Sequence, residues 1–404
     1  MLSSAVFCAV ALGSCGSPAR SISARSKTTT TTPTKLAEPA TPPTTPPTTT
    51  VIASESFSQP GRLLQFASFE SGWLVDPSRP ARILSTTDGG RSWWTSYNGS
   101  VSSQNYDGAV KGLDFVNRSD GWALLYGEGL MGTQDGGHTW SAAAEPSQGP
   151  LETVTFTDPE IGWALTDQGT LLHTLDAGVN WLSVRTPASG LSLCANSSGT
   201  LWLGGNDGNI YESSSGASWN LAFSLSNVQA PAPALGDPQP GPWLTCTGDS
   251  AWALYQWGES AGSDPFVVER TLDDGENWMA LVVPRGTGLV PPNPEVAMDT
   301  PSDLGSGGPT RAWVLGYCGP CGTGSASVVI TTGATSFSGT ALPIATDTYA
   351  SPIDAAFFGL EFGWVALREY PSSMAGSASV ETTAIVATDD GGKTWHVVDP
   401  DVSR

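Results

Sequence analysis

Five copies of one octad carry the carboxylates with the clearest chemical potential in this chain. Each reads Thr-x-Asp-x-Gly-x-x-Trp, and the aspartates and tryptophans are Asp88 and Trp93, Asp135 and Trp140, Asp176 and Trp181, Asp273 and Trp278, and Asp390 and Trp395. Repeated carboxylates could serve acid–base catalysis. They could equally build tight turns, because Asp accepts backbone N–H bonds and Gly adopts conformations closed to other residues. The tryptophan would cover the turn with apolar surface, so we predict a structural role for all five aspartates.

Other catalytic or metal-binding patterns are missing from the sequence. His138, His173 and His396 fall in or beside the octads and do not have the spacing of metal ligands. The sequence contains no phosphate-binding glycine loop and no Ser-His-Asp order. We therefore expect no metal and no cofactor.

Each octad, or its remnant, follows a short apolar strand that contains a tryptophan. The seven strand tryptophans are Trp73, Trp122, Trp163, Trp202, Trp252, Trp313 and Trp364. A repeat of about 40 to 60 residues is typical of propellers and solenoids, and many short strands joined by glycine-rich turns indicate an all-β fold. We predict a seven-bladed β-propeller of four-stranded antiparallel blades over residues 61–404, closed by packing of blade one on blade seven without a swapped N-terminal strand.

The octads resemble the Asp-box, or BNR repeat, of sialidases, sortilin-type ectodomains, xyloglucanases and photosystem II assembly-factor-like propellers. The resemblance covers residues 63 to 400. It implies that each octad lies on the hairpin between the third and fourth strands of a blade, at the rim away from the active face. Fold alone does not transmit a function.

The N-terminal 60 residues have a different composition. An apolar run over residues 5–12 suits a signal peptide, and the tetrad Leu12-Gly13-Ser14-Cys15 resembles a bacterial lipobox. We expect residues 1–15 to be a signal peptide, with Cys15 lipidated and holding the protein on the outer face of the cytoplasmic membrane. Residues 16–60, rich in Thr and Pro, read as a disordered stalk. The membrane would be contacted through the lipid anchor only.

Charge narrows the range of partners. The chain has a net charge of −21, with 17 basic and 38 acidic residues. Four of the basic and two of the acidic residues precede residue 61, which leaves the body at −23. A surface this acidic repels phosphate backbones, so we exclude nucleic acid as a partner. We expect a monomer that binds a protein or a glycan at the cell envelope.

Loop lengths suggest where such a partner binds. From the strand tryptophan to the aromatic residue of the octad, the interval is 17 to 20 residues in units one to four and 24 to 31 in units five to seven. The extra length falls on the face that carries the second-to-third loops, and loops on a rigid scaffold often carry function. The candidate contact residues there are Tyr255, Trp257, Tyr317, Arg368 and Tyr370. Insertions without any role are the alternative.

Four cysteines remain in the body, and four cysteines allow three pairings. Cys318 and Cys321 lie in one long loop and predict a local disulfide. Cys194 and Cys246 occupy similar places in neighbouring units, where they could bridge two blades or remain buried thiols.

Two classes of function remain. A non-catalytic propeller that binds or assembles a protein or glycan is favoured over an enzyme. The alternative is a glycoside hydrolase, either sialidase-like or acting on a neutral glycan, since the separation of two carboxylates cannot be read from sequence.

Overall fold

The structure is a computed structural model that describes residues 61–398 except 103–105, 144–145, 197, 232–237, 259–263, 282–299, 309, 318–325, 332–336, 345–347 and 372–381. The predicted signal peptide, Cys15, the stalk, and Cys318 with Cys321 lie outside the described residues. No helix in the described part of the chain has the length and apolar character needed to cross a membrane.

The described residues form seven four-stranded antiparallel sheets, each built from four strands consecutive in the chain. The first strands are β1 (Leu64–Phe66), β5 (Val110–Phe115), β9 (Leu151–Phe156), β13 (Gly190–Ala195), β17 (Trp243–Thr247), β21 (Thr300–Gly308) and β25 (Thr348–Phe358). The second strands are β2 (Gly72–Val75), β6 (Gly121–Leu125), β10 (Gly162–Thr166), β14 (Leu201–Gly205), β18 (Ser250–Gln256), β22 (Arg311–Tyr317) and β26 (Phe362–Pro371). The third strands are β3 (Arg82–Thr86), β7 (Gly129–Thr133), β11 (Leu171–Thr174), β15 (Ile210–Ser213), β19 (Phe266–Thr271), β23 (Ala326–Thr331) and β27 (Thr382–Thr388). The fourth strands are β4 (Trp94–Asn98), β8 (Ser141–Ala142), β12 (Leu182–Val184), β16 (Asn220–Phe223), β20 (Met279–Leu281), β24 (Phe337–Ala341) and β28 (His396–Val398).

The sheets are the blades of a propeller. The first strand of each blade contacts the first strand of the next, and β25 contacts β1, so the ring closes between the last blade and the first. All four strands of the last blade come from residues 348–398. The predicted all-β propeller of four-stranded antiparallel blades, closed without a strand exchange, is therefore confirmed for the described residues.

Burial within a blade explains the sequence pattern. Every residue of β6, β10 and β14 is buried, because a second strand has a neighbouring blade against both of its faces. Such strands read as continuous apolar runs. The fourth strands form the outer edge, where Leu182 and Val397 are 69% and 61% exposed.

Two ends of the ring are distinguished by their connections. We call the end with the second-to-third loops and the blade-to-blade connections the loop face. The end with the first-to-second hairpins and the third-to-fourth hairpins is the Asp-box face. Since the strands of a blade are antiparallel, every first strand runs from the loop face to the Asp-box face.

The strand tryptophan and the octad together form the joint between two blades. Trp73 of blade one stacks on Phe115 of blade two with ring centroids 3.5 Å apart, and its Nε1 donates to the Gly136 carbonyl in the octad of blade two at 2.9 Å. The same joint links Trp122 with Phe156 and Ala177, and Trp364 with Phe66 and Gly89. Aromatic pairs contribute about 0.5 to 1.5 kcal/mol beyond the area they bury. In these joints the strand tryptophan of one blade therefore contacts the octad of the next blade directly.

A disulfide joins blades four and five. Cys194 of β13 and Cys246 of β17 are bonded, with Cα atoms 6.0 Å apart. The predicted inter-blade bridge is confirmed. Two further contacts follow the same seam, from Ser192 Oγ to the Pro242 carbonyl and from Asn196 Nδ2 to the Gly248 carbonyl.

Blade five contains a buried carboxyl group that should make stability depend on pH. Glu269 lies in β19 between Ala253 and Ala280 and is 4% exposed. Burial raises its pKa to about 7, because apolar surroundings disfavour the charged form. The unfolded chain binds this proton with a pKa near 4.5. The folded state therefore gains stability from the site below about pH 4.5 and loses it as the pH rises through 7.

We expect the free energy of unfolding to fall between pH 5 and pH 8 by on the order of 2 kcal/mol more in the wild type than in Glu269→Gln. Urea denaturation of both proteins at the two pH values measures this difference. Parallel pH profiles would show that Glu269 does not carry the effect.

Candidate functional site

The five complete octads use their aspartates inside the turn. In blade two, Thr133 Oγ1 donates to Asp135 Oδ1 at 2.8 Å and accepts the Gly137 N–H at 2.9 Å. Asp135 then accepts the backbone N–H of Thr139 at 2.8 Å and its hydroxyl at 2.7 Å. Asp88 and Asp390 make the same set of contacts, and Asp176 and Asp273 make them with an asparagine amide in place of the hydroxyl. Gly137 has a φ of 90°, which only glycine adopts without strain.

These hydrogen bonds favour the ionised carboxylates. The pKa of Asp135 is lowered to about 2, mainly by the hydroxyl and backbone N–H of Thr139, since donors to a carboxylate stabilise its charge. Such a group accepts hydrogen bonds permanently and is a poor proton donor near neutral pH. All five octad aspartates therefore accept hydrogen bonds from within their own turns.

A cavity of about 290 Å³ lies inside the ring of first strands. All seven first strands contribute to its wall, and its polar side chains include Arg62, Gln65, Lys111, Asp114, Glu152 and Thr245. Arg62, Lys111 and Glu152 lie at the beginning of their blades, so they surround the opening of the cavity on the loop face. We call these three residues the channel mouth.

An ion pair and an aromatic ring form one side of the channel mouth. Lys111 Nζ pairs with Glu152, whose side chain is 24% exposed, and lies 5.0 Å from the ring centroid of Tyr126. Tyr126 is 44% exposed. Burial of its hydroxyl and the Glu152 charge raise the pKa of Tyr126. Both signs of charge and an aromatic face are thus accessible within one small region.

Local backbone geometry directs the side chains of Lys111 and Glu152 towards the channel mouth. Lys111 and Glu152 are each the extra residue at a break in register, between Val110 and Gly112 and between Leu151 and Thr153. A β-bulge re-aims the side chain at the inserted position and occurs often beside functional sites. The bulges therefore turn an ordinary pairing position into a charged position at the channel mouth.

Arg62, at the start of blade one, bridges from its own blade to blades six and seven. Its guanidinium lies 3.5 Å from Asp354 Oδ1 and 3.8 Å from Asp303 Oδ2, and donates to the Leu304 carbonyl at 3.1 Å. Asp354 also accepts the backbone N–H groups of Leu63 and Leu64 at 2.6 and 2.8 Å. Burial and the neighbouring Asp354 charge raise the pKa of Asp303 well above its usual range. Asp303 and Asp354 are buried and are not among the residues that line the cavity, so they serve the closure of the ring.

Two carboxyl groups do line the cavity, and both are engaged. Asp114 accepts the backbone N–H of Phe156 in the next blade, and its burial raises its pKa to about 7. Glu152 is held by Lys111. Among the described residues, no group of three His, Cys, Asp or Glu side chains is arranged to hold a metal ion.

The sequence was compared with protein-family models. Residues 94–224, from β4 to just beyond β16, match the family described as Photosynthesis system II assembly factor YCF48. This segment includes the octads of Asp135 and Asp176, whose hydrogen bonds are given above. The chain is an Asp-box, or BNR-repeat, β-propeller. No curated protein sequence matches it.

Among three similar solved structures, one has a TM-score above 0.5 and supports the propeller fold. The structure of YCF48 bound to D1 peptide is 17% identical with a TM-score of 0.53, and the alignment covers 83% of this chain and 94% of that one. YCF48 from Cyanidioschyzon merolae is 17% identical, with a TM-score of 0.47 and coverage of 72% and 85%. The GH74 enzyme of Niastella koreensis is 14% identical, with a TM-score of 0.49 and coverage of 83% and 58%. This Asp-box propeller therefore spans less than two thirds of the GH74 enzyme.

Part of the predicted binding face of the Asp-box propeller is wrong. Tyr255 and Trp257 are each 1% exposed and belong to the core between blades four and five. The Tyr255 hydroxyl donates to the Gly208 carbonyl at 3.1 Å. Tyr255 lies in the buried second strand of blade five, and Trp257 follows directly after it. The prediction failed because aromatic side chains at strand spacing are suited to core packing as well as to binding.

The other three predicted residues lie towards the loop face. Tyr317 ends β22 and is 38% exposed, while Arg368 and Tyr370 are half-buried in β26. The first two strands of blade seven pair as far as Thr348 and Pro371, so they extend further towards the loop face than the strands of the other blades. Some of the added residues of blade seven thus lengthen its strands.

Sequence reasoning missed the channel mouth of the Asp-box propeller, although a signal was present. Each of these three charged residues precedes the strand tryptophan of its blade by eleven residues. The pairs are Arg62 and Trp73, Lys111 and Trp122, and Glu152 and Trp163. Equal spacing from the same landmark places the three residues at the same level of the ring. A search for charge at a fixed offset from the tryptophan would have found them.

Proposed function

We propose that this chain is a non-catalytic, seven-bladed scaffold that binds a peptide segment of a partner protein at the channel mouth. The observation that carries the proposal is the combination of the Lys111–Glu152 pair with the exposed ring of Tyr126 at the opening of a cavity. A peptide backbone offers donors and acceptors together, so a site with both signs of charge can engage it. The aromatic ring adds apolar contact.

The state of the carboxylates supports binding over hydrolysis. A glycosidase needs one carboxyl group to give a proton and a second to act as base or nucleophile. Glu152 is neutralised by Lys111, and Asp114 is bonded to the backbone of the next blade. The raised pKa of Asp114 is the one feature that favours the alternative, a glycoside hydrolase.

A solved relative supports the class of ligand. YCF48, which shares the propeller fold at 17% identity, has been solved with a D1 peptide bound. At this identity the likeness concerns the fold, so the nature of the peptide bound here is not carried over. Binding of a glycan at the channel mouth is the second possibility within the same class.

Peptide selection tests the proposal. Peptides selected from a random library on the intact chain should bind Lys111→Met at least ten-fold more weakly than the wild type, because the substitution removes a charged donor from the channel mouth. Lys393→Met, at an exposed lysine on the Asp-box face, is the matched control and should bind normally. Isothermal titration calorimetry of each selected peptide measures the three affinities.

Two results would contradict the proposal. One is a set of selected peptides that bind Lys111→Met and Lys393→Met with equal affinity. The other is the release of new reducing ends from neutral or sialylated oligosaccharides, lost in Asp114→Asn, which would support the hydrolase.

The cellular setting of the scaffold remains a proposal. The composition of residues 1–60 supports a lipid anchor at Cys15, a stalk, and a position on the outer face of the cytoplasmic membrane. These residues lie outside the described part of the chain. Lipidation and location therefore stay predictions from sequence.

A further inference from the structure

Four large apolar side chains are exposed together on the Asp-box face, where blade seven meets blade one. They are Phe69 at 49%, Phe358 at 39%, Leu360 at 68% and Phe362 at 37% exposure. The rings of Phe69 and Phe362 are 6.2 Å apart, and Phe358 pairs with Phe362 across the hairpin that Leu360 caps. We call these four residues the seam patch. The corresponding hairpins of blades two and three carry Asn117-Arg118-Ser119 and Asp158-Pro159-Glu160 instead.

Buried contacts hold the seam patch in place. Arg311, which is 6% exposed, donates to the Leu360 carbonyl and, at 2.8 Å, to the Gly391 carbonyl. The Gly391 N–H in turn donates to the Glu361 carbonyl at 2.8 Å. On the other side, Ser68 Oγ accepts the Ser71 N–H at 3.0 Å and fixes the turn that carries Phe69. A rigid display of apolar surface lowers the entropy lost on binding.

The charges around the seam patch select among its possible occupants. Five carboxylates surround it in the two hairpins and two octads, namely Glu70, Asp88, Glu361, Asp389 and Asp390. Three cations lie among them, namely Arg91, Arg118 and Lys393, and Arg118 is 3.9 Å from Glu70. These eight side chains carry a local charge of −2, the buried guanidinium of Arg311 brings it to −1, and the whole chain has a net charge of −21. A second copy of this chain and an anionic lipid surface would both bring like charges together.

We propose that the seam patch docks a basic, amphipathic segment of a partner protein. The apolar side of the segment would cover Phe69, Leu360 and Phe362, and its lysines or arginines would face the surrounding carboxylates. Exposed apolar clusters with a polar rim commonly mark protein interaction sites, and complementary charge adds rate and specificity. This site lies on the opposite face from the channel mouth and does not depend on the function proposed there.

The test uses a labelled amphipathic helical peptide of leucine and lysine, with fluorescence anisotropy as the readout. The double variant Phe69→Ser/Leu360→Ser of the intact chain should bind at least ten-fold more weakly than the wild type. The matched control Leu182→Ser/Val397→Ser removes two equally exposed apolar side chains from the outer edge and should bind normally. Thermal melting of both variants checks that they fold, as expected for exposed substitutions.

Four outcomes would overturn the proposal. Equal affinity of the two double variants for the peptide would show that the seam patch does not bind it. Equally tight binding of a peptide with glutamate in place of lysine would remove the role of charge. Concentration-dependent dimerisation that Phe69→Ser/Leu360→Ser abolishes would assign the patch to a second copy. Binding to phosphatidylcholine vesicles that the same variant abolishes would assign it to a membrane.

Discussion

Replacing Asp354 with alanine is expected to lower the free energy of unfolding by roughly 3 to 5 kcal/mol, because it leaves two backbone N–H groups without an acceptor and removes one partner of a partly buried ion pair. Asp354 is fully buried and accepts the N–H groups of Leu63 and Leu64 from blade one. It also faces the guanidinium of Arg62 at 3.5 Å. Alanine would leave two backbone donors without their acceptor and would remove the nearer of the two carboxylates beside Arg62, at the point where the ring closes. Denaturant unfolding of wild type and variant measures the loss.

Two further variants serve as controls for Asp354→Ala. Asp389→Ala removes an exposed aspartate of the same blade and should change stability by less than about 0.5 kcal/mol. Asp354→Asn keeps an oxygen that accepts the N–H bonds but loses the charge, so it should fall between the two. An Asp354→Ala protein within about 1 kcal/mol of the wild type would mean that other contacts close the ring.

The second large effect is expected at the disulfide. Replacing Cys194 and Cys246 together with alanine should lower the free energy of unfolding by roughly 2 to 4 kcal/mol. The bond links residues 52 positions apart in two different blades, so its removal frees a long loop in the unfolded chain. Denaturant unfolding of the wild type, with and without a thiol reductant, provides the comparison.

The same double variant is the control for the reductant. If Cys194–Cys246 carries the effect, reductant should destabilise the wild type to the level of the variant and leave the variant unchanged. A variant as stable as the oxidised wild type would show that the other contacts of this seam, such as Asn196 to Gly248, hold blades four and five together.

The closing seam and the candidate sites are physically connected. Asp354, Arg62 and the Trp364 joint all lie between the last blade and the first. Arg62 belongs to the channel mouth, and the seam patch lies at the other end of the same seam. Polar and exposed groups are concentrated at this place, where the described residues close the ring through side-chain contacts.

The repeat landmarks made the fold readable from sequence. The octad of Asp135 contains its own hydrogen-bond partners within seven residues, so its structure is a local property of the chain. The tryptophans recur because each packs into the core shared with the next blade, and those of blades one, two and seven make the same stacked and hydrogen-bonded joint. Local turns and repeated packing are the features that a single sequence expresses most directly.

The candidate sites required the tertiary structure. Tyr255 and Trp257 have the composition of a binding surface, and only the packing of blades four and five buries them. Lys111 and Glu152 meet because two bulges in separate blades face one cavity, and Phe69 meets Phe362 because the ring closes. The sequence by itself determined the octad turns, the strand pattern and the propeller, since these depend on neighbours within one repeat. Which side chains became core, channel mouth or exposed patch was decided by contacts between blades that are distant in the chain.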